Sequence, residues 1–483
     1  MNLNLSSSLQ KLFFCFIIII CNHITVTAQT AKKLDSLYST LYKQGSFNGC
    51  VLIAENGKPT YEKAFGYANF DTKQPLTNQT MFELASVSKQ FTAMAIMQLH
   101  QKGKLKYDDS LNKYFPQISY HGITINHLLH HTSGIGEFLN WNEKLIDMGQ
   151  INYNKDILAS LIKNKPPLGF KPGDQLSYSN TNYVLLALIV EKISGMAFGD
   201  YMDKYIFKPL KMTHTRIYAQ RAATQKINDY AFGYVFNPVK NKFVINDSLK
   251  ENRYEYYFDG ISGPYGISSD TEDMLKWDQA LYTDQLVTKQ EQAAAYIPSK
   301  LNNGKSAELG GLAYGFGWLI PPVENIYGQT YLHTGGYPGY QTMIVRCPDK
   351  NKTIIILTNT WNTIDILRLG LANMQILFDE PFEIPKAKPY QKSVMLNAAQ
   401  LKAIEGTYSF KSAPNIKIVI TSDGHQAYAQ ATGQVRVEIY SKSELEFFYT
   451  AVEANIKFVI DNAGIIKKLT LFQNGQQLEA NKE

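Results

Sequence analysis

Ser86-Val87-Ser88-Lys89, set between the strand-like Met81-Phe82-Glu83-Leu84 and the apolar run Phe91 to Leu99, is the stretch that decides the fold. Its spacing places a hydroxyl and an amine one helical turn apart on the same face. A serine hydroxyl is a weak nucleophile at neutral pH, and a neighbouring amine able to take its proton is what covalent catalysis by serine requires. The same serine-x-x-lysine spacing occurs at Ser8 to Lys11 and at Ser160 to Lys163. Only the Ser86 copy opens a segment apolar on nearly every side, the pattern of a central buried helix. The plainer reading is that Ser86 caps that helix.

Two later segments bear on the choice. Tyr178-Ser179-Asn180 follows Phe170-Lys171-Pro172-Gly173-Asp174 and precedes an apolar helix from Tyr183 to Ile193; His333-Thr334-Gly335-Gly336 precedes the strand-like Gln341 to Arg346. With these, the chain resembles the serine β-lactamase and penicillin-binding-protein superfamily. It is most similar to the class C-like branch of D-alanyl-D-alanine carboxypeptidases, D-aminopeptidases and esterases. Further matches follow in family order: Leu128-Leu129-His130-His131-Thr132-Ser133-Gly134-Ile135, Pro209-Leu210-Lys211-Met212, Gly266-Ile267-Ser268-Ser269 with Asp273-Met274, and Tyr314-Gly315-Phe316-Gly317-Trp318. The resemblance covers roughly residues 33 to 360.

The resemblance implies an α+β fold: an antiparallel sheet flanked by helices, with a helical lobe and a cleft at their junction. It makes Ser86 the nucleophile, with Lys89 and Tyr178 as alternative proton acceptors. Tyrosine titrates near pH 10, so as a base it needs the positive charge of Lys89 beside it. Asn180 is expected to bind Lys89 and a substrate amide, and the backbone N–H groups of Ser86 and Gly336 to form an oxyanion hole. His333, Thr334, Gly335 and Gly336 make up the substrate-binding strand. His333 departs from the lysine usual in β-lactamases, and a histidine there predicts activity that depends on pH around 6 to 7.

His127, His130 and His131 have helical spacing, but no glutamate follows His127 and no carboxylate ligand is near, so no metal site is expected. The chain carries a net charge of +6 at pH 7 without a basic block, which argues against nucleic acid as a partner. No cofactor is implied.

Residues 1 to 28 read as a signal peptide: Lys11, then the apolar Leu12 to Ile20, then Val26-Thr27-Ala28 as a cleavage site. Export to the periplasm or beyond follows, with no integral membrane segment in the mature chain. Lipoprotein processing at Cys21 would need a small residue before it, and Ile20 is not small. Cys50 and Cys347 then remain; family topology puts a strand between theirs, so two buried free thiols are expected.

At 483 residues the chain exceeds one ordinary domain. The hydrolase-like domain is read over 29 to 382, with a linker at 383 to 397 and a small all-β domain at 398 to 483. That last domain rests on period-two strands (Ile416, Ile418, Ile420; Val435, Val437, Ile439) and turns at Asp423-Gly424 and Asn474-Gly475. It resembles the lipocalin-like domains appended to such hydrolases. The polar, tyrosine-rich Asn237 to Tyr257 is read as a solvated loop. The functional expectation is an exported serine hydrolase that forms an acyl-enzyme on Ser86 and acts on peptide substrates, peptidoglycan fragments among them, or on esters. The alternatives are a true β-lactamase, or a non-catalytic binding or scaffold protein that keeps the fold.

Overall fold

The computed structural model describes residues 28–483 apart from 250–253, 324, 325, 362, 389, 433, 435, 451 and 474. The signal-peptide reading falls, but for its final residue, outside the described residues. Residues 28–43 are helical.

An eight-stranded antiparallel sheet forms the frame. Its order is Glu308–Leu309, Leu312–Tyr314, Leu319–Ile320, Tyr331–Tyr337, Tyr340–Cys347, Lys352–Thr358, Gly49–Glu55 and Lys58–Phe65. The N-terminal hairpin thus joins strands from the far end of the domain, with Gly49 opposite Thr358 and Glu55 opposite Lys352. Asn56 and Gly57 both take positive φ, 51° and 71°, as a two-residue type I′ turn demands. Strand periodicity divides the inner residues between two cores. Val51, Ile53, Val345 and Ile354 face the helix at 28–43 and the helix Ile366–Leu377. Cys50, Leu52, Ile344 and Ile355 face the helical lobe.

In that lobe, helix Lys89–Gln101 is buried continuously from Lys89 to Leu99, and helix Asn180–Ser194 from Thr181 to Val190. Such all-round burial explains why both read as apolar on every side. The serine at position 160 behaves differently. It sits inside helix Asn154–Asn164, and its hydroxyl donates to the Leu145 carbonyl. Among the described residues no single helix is long and apolar enough to cross a membrane.

Cys50 and Cys347 are buried free thiols. The strand Lys352–Thr358 lies between theirs, as expected.

The C-terminal domain is a closed eight-stranded barrel, its first strand Gly406–Phe410 pairing with its last, Gln476–Lys482. Helix Ala398–Ile404, capped by Asn397, adds Leu401 and Ile404 to the barrel core. Ile418 and Ile420 point inward as the alternation predicts, whereas Ile416 is exposed. Between the pairs Ser409–Lys417 and Phe410–Ala413 the register jumps, and the resulting bulge turns Ile416 outward. Val435 and Asn474 lie outside the described residues.

One segment differs from expectation. Asn237 to Tyr257 is not simply a solvated loop: Tyr234–Asn237 and Lys242–Ile245 pair as a hairpin, followed by a short helix Tyr254–Tyr257. The connecting segment is also held down. Lys388 N donates to Thr363 O, Tyr390 Oη to Gly45 O, and Ser393 N to Pro238 O, while the Tyr390 ring stacks on Phe236 at 4.7 Å.

Candidate active site

Ser86 lies in a single 3₁₀ turn, Ala85–Ser88, that runs directly into helix Lys89–Gln101. No side chain caps the turn or the helix, so Ser86 is not a capping residue. Ala85 adopts φ of 50°, a conformation costly for any residue with a Cβ. Neighbouring groups hold it there. The buried Glu83 Oε1 accepts the Ala85 N–H at 3.0 Å and the Gly266 N–H at 2.9 Å. Burial pushes the Glu83 carboxyl up to about 7.

Lys89 is fully buried, and its ammonium donates to Ser86 Oγ at 3.0 Å, Asn180 Oδ1 at 2.7 Å and Pro264 O at 3.0 Å. The orientation of Asn180 is set from behind. Its backbone N–H and its Nδ2 both donate to Glu137 Oε2, so its Oδ1 must face Lys89. Burial lowers the lysine pKa to about 7, opposed by the attraction of Glu137. Glu137 itself is shifted upward by burial.

Tyr178 places its ring 4.7 Å from Lys89 Nζ. Its buried hydroxyl makes no well-formed hydrogen bond, and burial drives its pKa far above 10 despite the nearby Ser86 hydroxyl. The phenol is therefore protonated at neutral pH.

The strand Tyr331–Tyr337 passes tightly against the Leu84–Ala85 turn. A Cβ on Gly335 would stand 2.0 Å from Thr342 Oγ1 and 2.3 Å from Leu84 O, so only glycine permits this approach. Gly336 is exposed at the cleft beside Trp361.

His333 requires a correction. It is buried, with Nδ1 at 2.7 Å from the Thr334 carbonyl, which can only accept. The proton therefore sits on Nδ1, and Nε2 accepts from the Tyr314 hydroxyl at 3.0 Å. Burial, and then the charge of Lys89, lowers its pKa to about 3. A neutral ring with both nitrogens engaged neither grips a substrate carboxylate nor titrates near pH 6 to 7.

His131 continues the same chain, at 3.3 Å from the Tyr314 oxygen, with its Nδ1 accepting from Ser179 N and Asn182 Nδ2. His130 bridges the carbonyls of Asn126 and Ile297, and His127 caps its own short helix at Thr124. All three rings serve the fold. Sequence assigned no role to Glu83, Glu137, Tyr314 or the Pro264 carbonyl, although Glu83 and Tyr314 fall in segments quoted above. Glu137 lies 43 residues from Asn180, and no spacing rule connects them.

The Beta-lactamase family profile matches residues 34–374. The chain is 36% identical over 450 residues to Penicillin-binding protein 4* of Bacillus subtilis (strain 168), covering 93% of this chain and 98% of that protein. A penicillin binding protein from Bacillus halodurans superposes with a TM-score of 0.58 at 26% identity, covering 67% of this chain and 94% of that one. The octameric penicillin-binding protein homologue from Pyrococcus abyssi superposes with a TM-score of 0.62 at 24% identity over 93% of this chain and 99% of its own, which shows a shared fold. With a serine-x-x-lysine pair at the junction of sheet and helical lobe, the chain belongs to the beta-lactamase family of serine hydrolases.

Proposed function

We propose that the protein is an exported hydrolase that forms an acyl-enzyme on Ser86, with Lys89 as the base, and acts on peptides of the DD-peptidase or D-aminopeptidase kind or on esters. One observation carries this reading: the two carbonyls, Asn180 Oδ1 and Pro264 O, that share Lys89 Nζ with Ser86. Carbonyls can only accept, so a neutral Lys89 spends both of its N–H groups on them and turns its lone pair to Ser86 Oγ. A pKa of about 7 makes that neutral form abundant at physiological pH.

In this reading Ser86 Oγ attacks the substrate carbonyl while its proton passes to Lys89. The oxyanion is held by the Ser86 and Gly336 N–H groups. The proton then moves to the leaving amine or alcohol, with the protonated Tyr178 phenol as relay, and the C–N or C–O bond breaks. Water, deprotonated by Lys89, attacks the acyl-enzyme and frees Ser86. Export rests on the sequence of residues 1–28. The similarity to a penicillin-binding protein over nearly the whole chain supports the peptide side. A histidine in place of lysine at 333 counts against a dedicated β-lactamase.

The test is the intact mass of residues 29–483, and of Ser86→Ala, after treatment with a fluorophosphonate and, separately, with a penicillin. We expect adducts on the parent and none on the variant, with the penicillin adduct persisting. Absence of both adducts would refute the reading and leave the scaffold alternative. Rapid turnover of penicillin without a lasting adduct would favour the β-lactamase alternative.

A further inference from the structure

The ammonium of Lys89 meets three uncharged acceptors, Ser86 Oγ, Asn180 Oδ1 and Pro264 O, and no carboxylate. The titratable rings around it are neutral at pH 7. Burial raises Tyr178, Tyr183 and Tyr265 above the ordinary tyrosine range. Burial, and then the charge of Lys89, lowers His131 and His333. Of the two carboxylates at the site, Glu83 is engaged with the N–H groups of Ala85 and Gly266, and Glu137 is the one whose charge acts on Lys89.

Three donors fix Glu137. Its Oε1 accepts the Leu139 N–H at 3.1 Å, and its Oε2 accepts the Asn180 N–H at 2.7 Å and Asn180 Nδ2 at 3.0 Å. Among the described residues every hydrogen bond to these oxygens comes from a donor, which suits an ionised carboxylate. Asn180 also opens helix Asn180–Ser194, whose N-terminus favours a negative charge. The loop that carries Glu137 is fastened to the same helix: Thr181 Oγ1 donates to Gly136 O at 2.7 Å, and Phe138 N donates to Thr181 Oγ1 at 3.0 Å. The Asn180 amide is thus held at both ends, Nδ2 by Glu137 and Oδ1 by Lys89.

We propose that Glu137 is a positioning residue for the Ser86 reaction: through Asn180 it keeps a carbonyl turned to Lys89, and its negative charge sets the pH at which Lys89 becomes the base. This rests on the reading of Lys89 as the base. The sign follows from the charge. A nearby anion favours the protonated amine, so Glu137 holds the lysine up against burial, and removing that charge lets it fall.

The rate of fluorophosphonate labelling of Ser86 in residues 29–483, followed from pH 5 to 9, tests both roles. Glu137→Gln should move the midpoint of the rise down by about one pH unit. Glu137→Asp keeps the charge and should keep the parent midpoint at a lower plateau. Incomplete folding of a variant would reduce the amount labelled without moving a midpoint, which belongs to the molecules that react. At pH 9, Glu137→Gln should slow labelling about tenfold. It should cost nothing further in an Asn180→Ala background, where no amide is left to orient. A midpoint unmoved or raised in Glu137→Gln, or lowered equally in Glu137→Asp, would overturn the electrostatic role. Equal losses with and without Asn180 would overturn positioning through it. Either failure leaves labelling of the parent and its rise through about 7 intact, whereas a parent that labels at a rate independent of pH would refute Lys89 as the base.

Discussion

The pair formed by Lys89 and His333 shows how burial decides chemistry that residue type leaves open. Both are basic side chains on the same site, and burial lowers both pKa values, to about 7 and about 3. Lys89 therefore titrates in the working range and His333 does not. With Lys89 as the base of the proposed mechanism, the neutral form is the active one, so kcat/KM should rise with pH through about 7 and level off above it. His333→Gln should lower the rate without moving that midpoint, as a pH profile from 5 to 9 on an activated ester would show. A midpoint that shifts or disappears in His333→Gln would return the titration to the histidine. The linkage has a definite sign. Between about 7 and 10.5 the unfolded lysine is protonated and the folded one is not, so this residue makes stability increase with pH across that window. The serine and lysine were legible from their spacing. The protonation of His333 was not, because it depends on burial and on the charge of Lys89, both set by the tertiary fold.

Among the elements, the 3₁₀ turn Ala85–Ser88 and the strand Tyr331–Tyr337 act as one unit. Thr342 Oγ1 donates to Leu84 O at 2.7 Å directly across the approach that Gly335 allows. In Gly335→Ala the added methyl would force strand and turn apart. A shift of about 1 Å in reacting groups costs on the order of a hundredfold in rate, and we expect a loss of at least that size in fluorophosphonate labelling. A drop in unfolding free energy of about 1–3 kcal/mol should accompany it. Gly336→Ala, which meets only the Trp361 ring at 3.4 Å, should destabilise less. Labelling of Gly335→Ala at the parent rate would show that the close contact is not required. Element types were readable where local chemistry sufficed, as in the Asn56-Gly57 turn and the two buried helices. The left-handed Ala85 was not, since it is held through Glu83 by the distant Gly266, whereas the bulge that expels Ile416 and the hairpin at 234–245 are local pairings that strand alternation alone did not reveal.

Across the whole molecule, the sheet is tied to the helical layer through a buried charge pair. Arg346, 2% exposed, donates to Asp278, 0% exposed, at 2.9 Å. Thr353 Oγ1 and Gln279 Nε2 donate to the other carboxylate oxygen, and Arg346 Nη1 donates to Tyr296. Removing one member leaves the other charged and unpaired in the interior. Asp278→Ala should therefore cost about 3–5 kcal/mol in urea unfolding, and a loss below about 1 kcal/mol would show that water reaches the guanidinium. The same long-range logic separates what was legible from what was not. Sequence by itself determined the family, the order of its motifs, the Ser86–Lys89 pair and the all-β character of the C-terminal region, because helix and strand periodicities and single-turn spacings are local. Tertiary structure alone decided that Asn180 presents its carbonyl to Lys89, that His333 is neutral, and that barrel, connecting segment and hydrolase domain line a common cavity. Those properties depend on burial and on partners tens to hundreds of residues away, which no local pattern encodes.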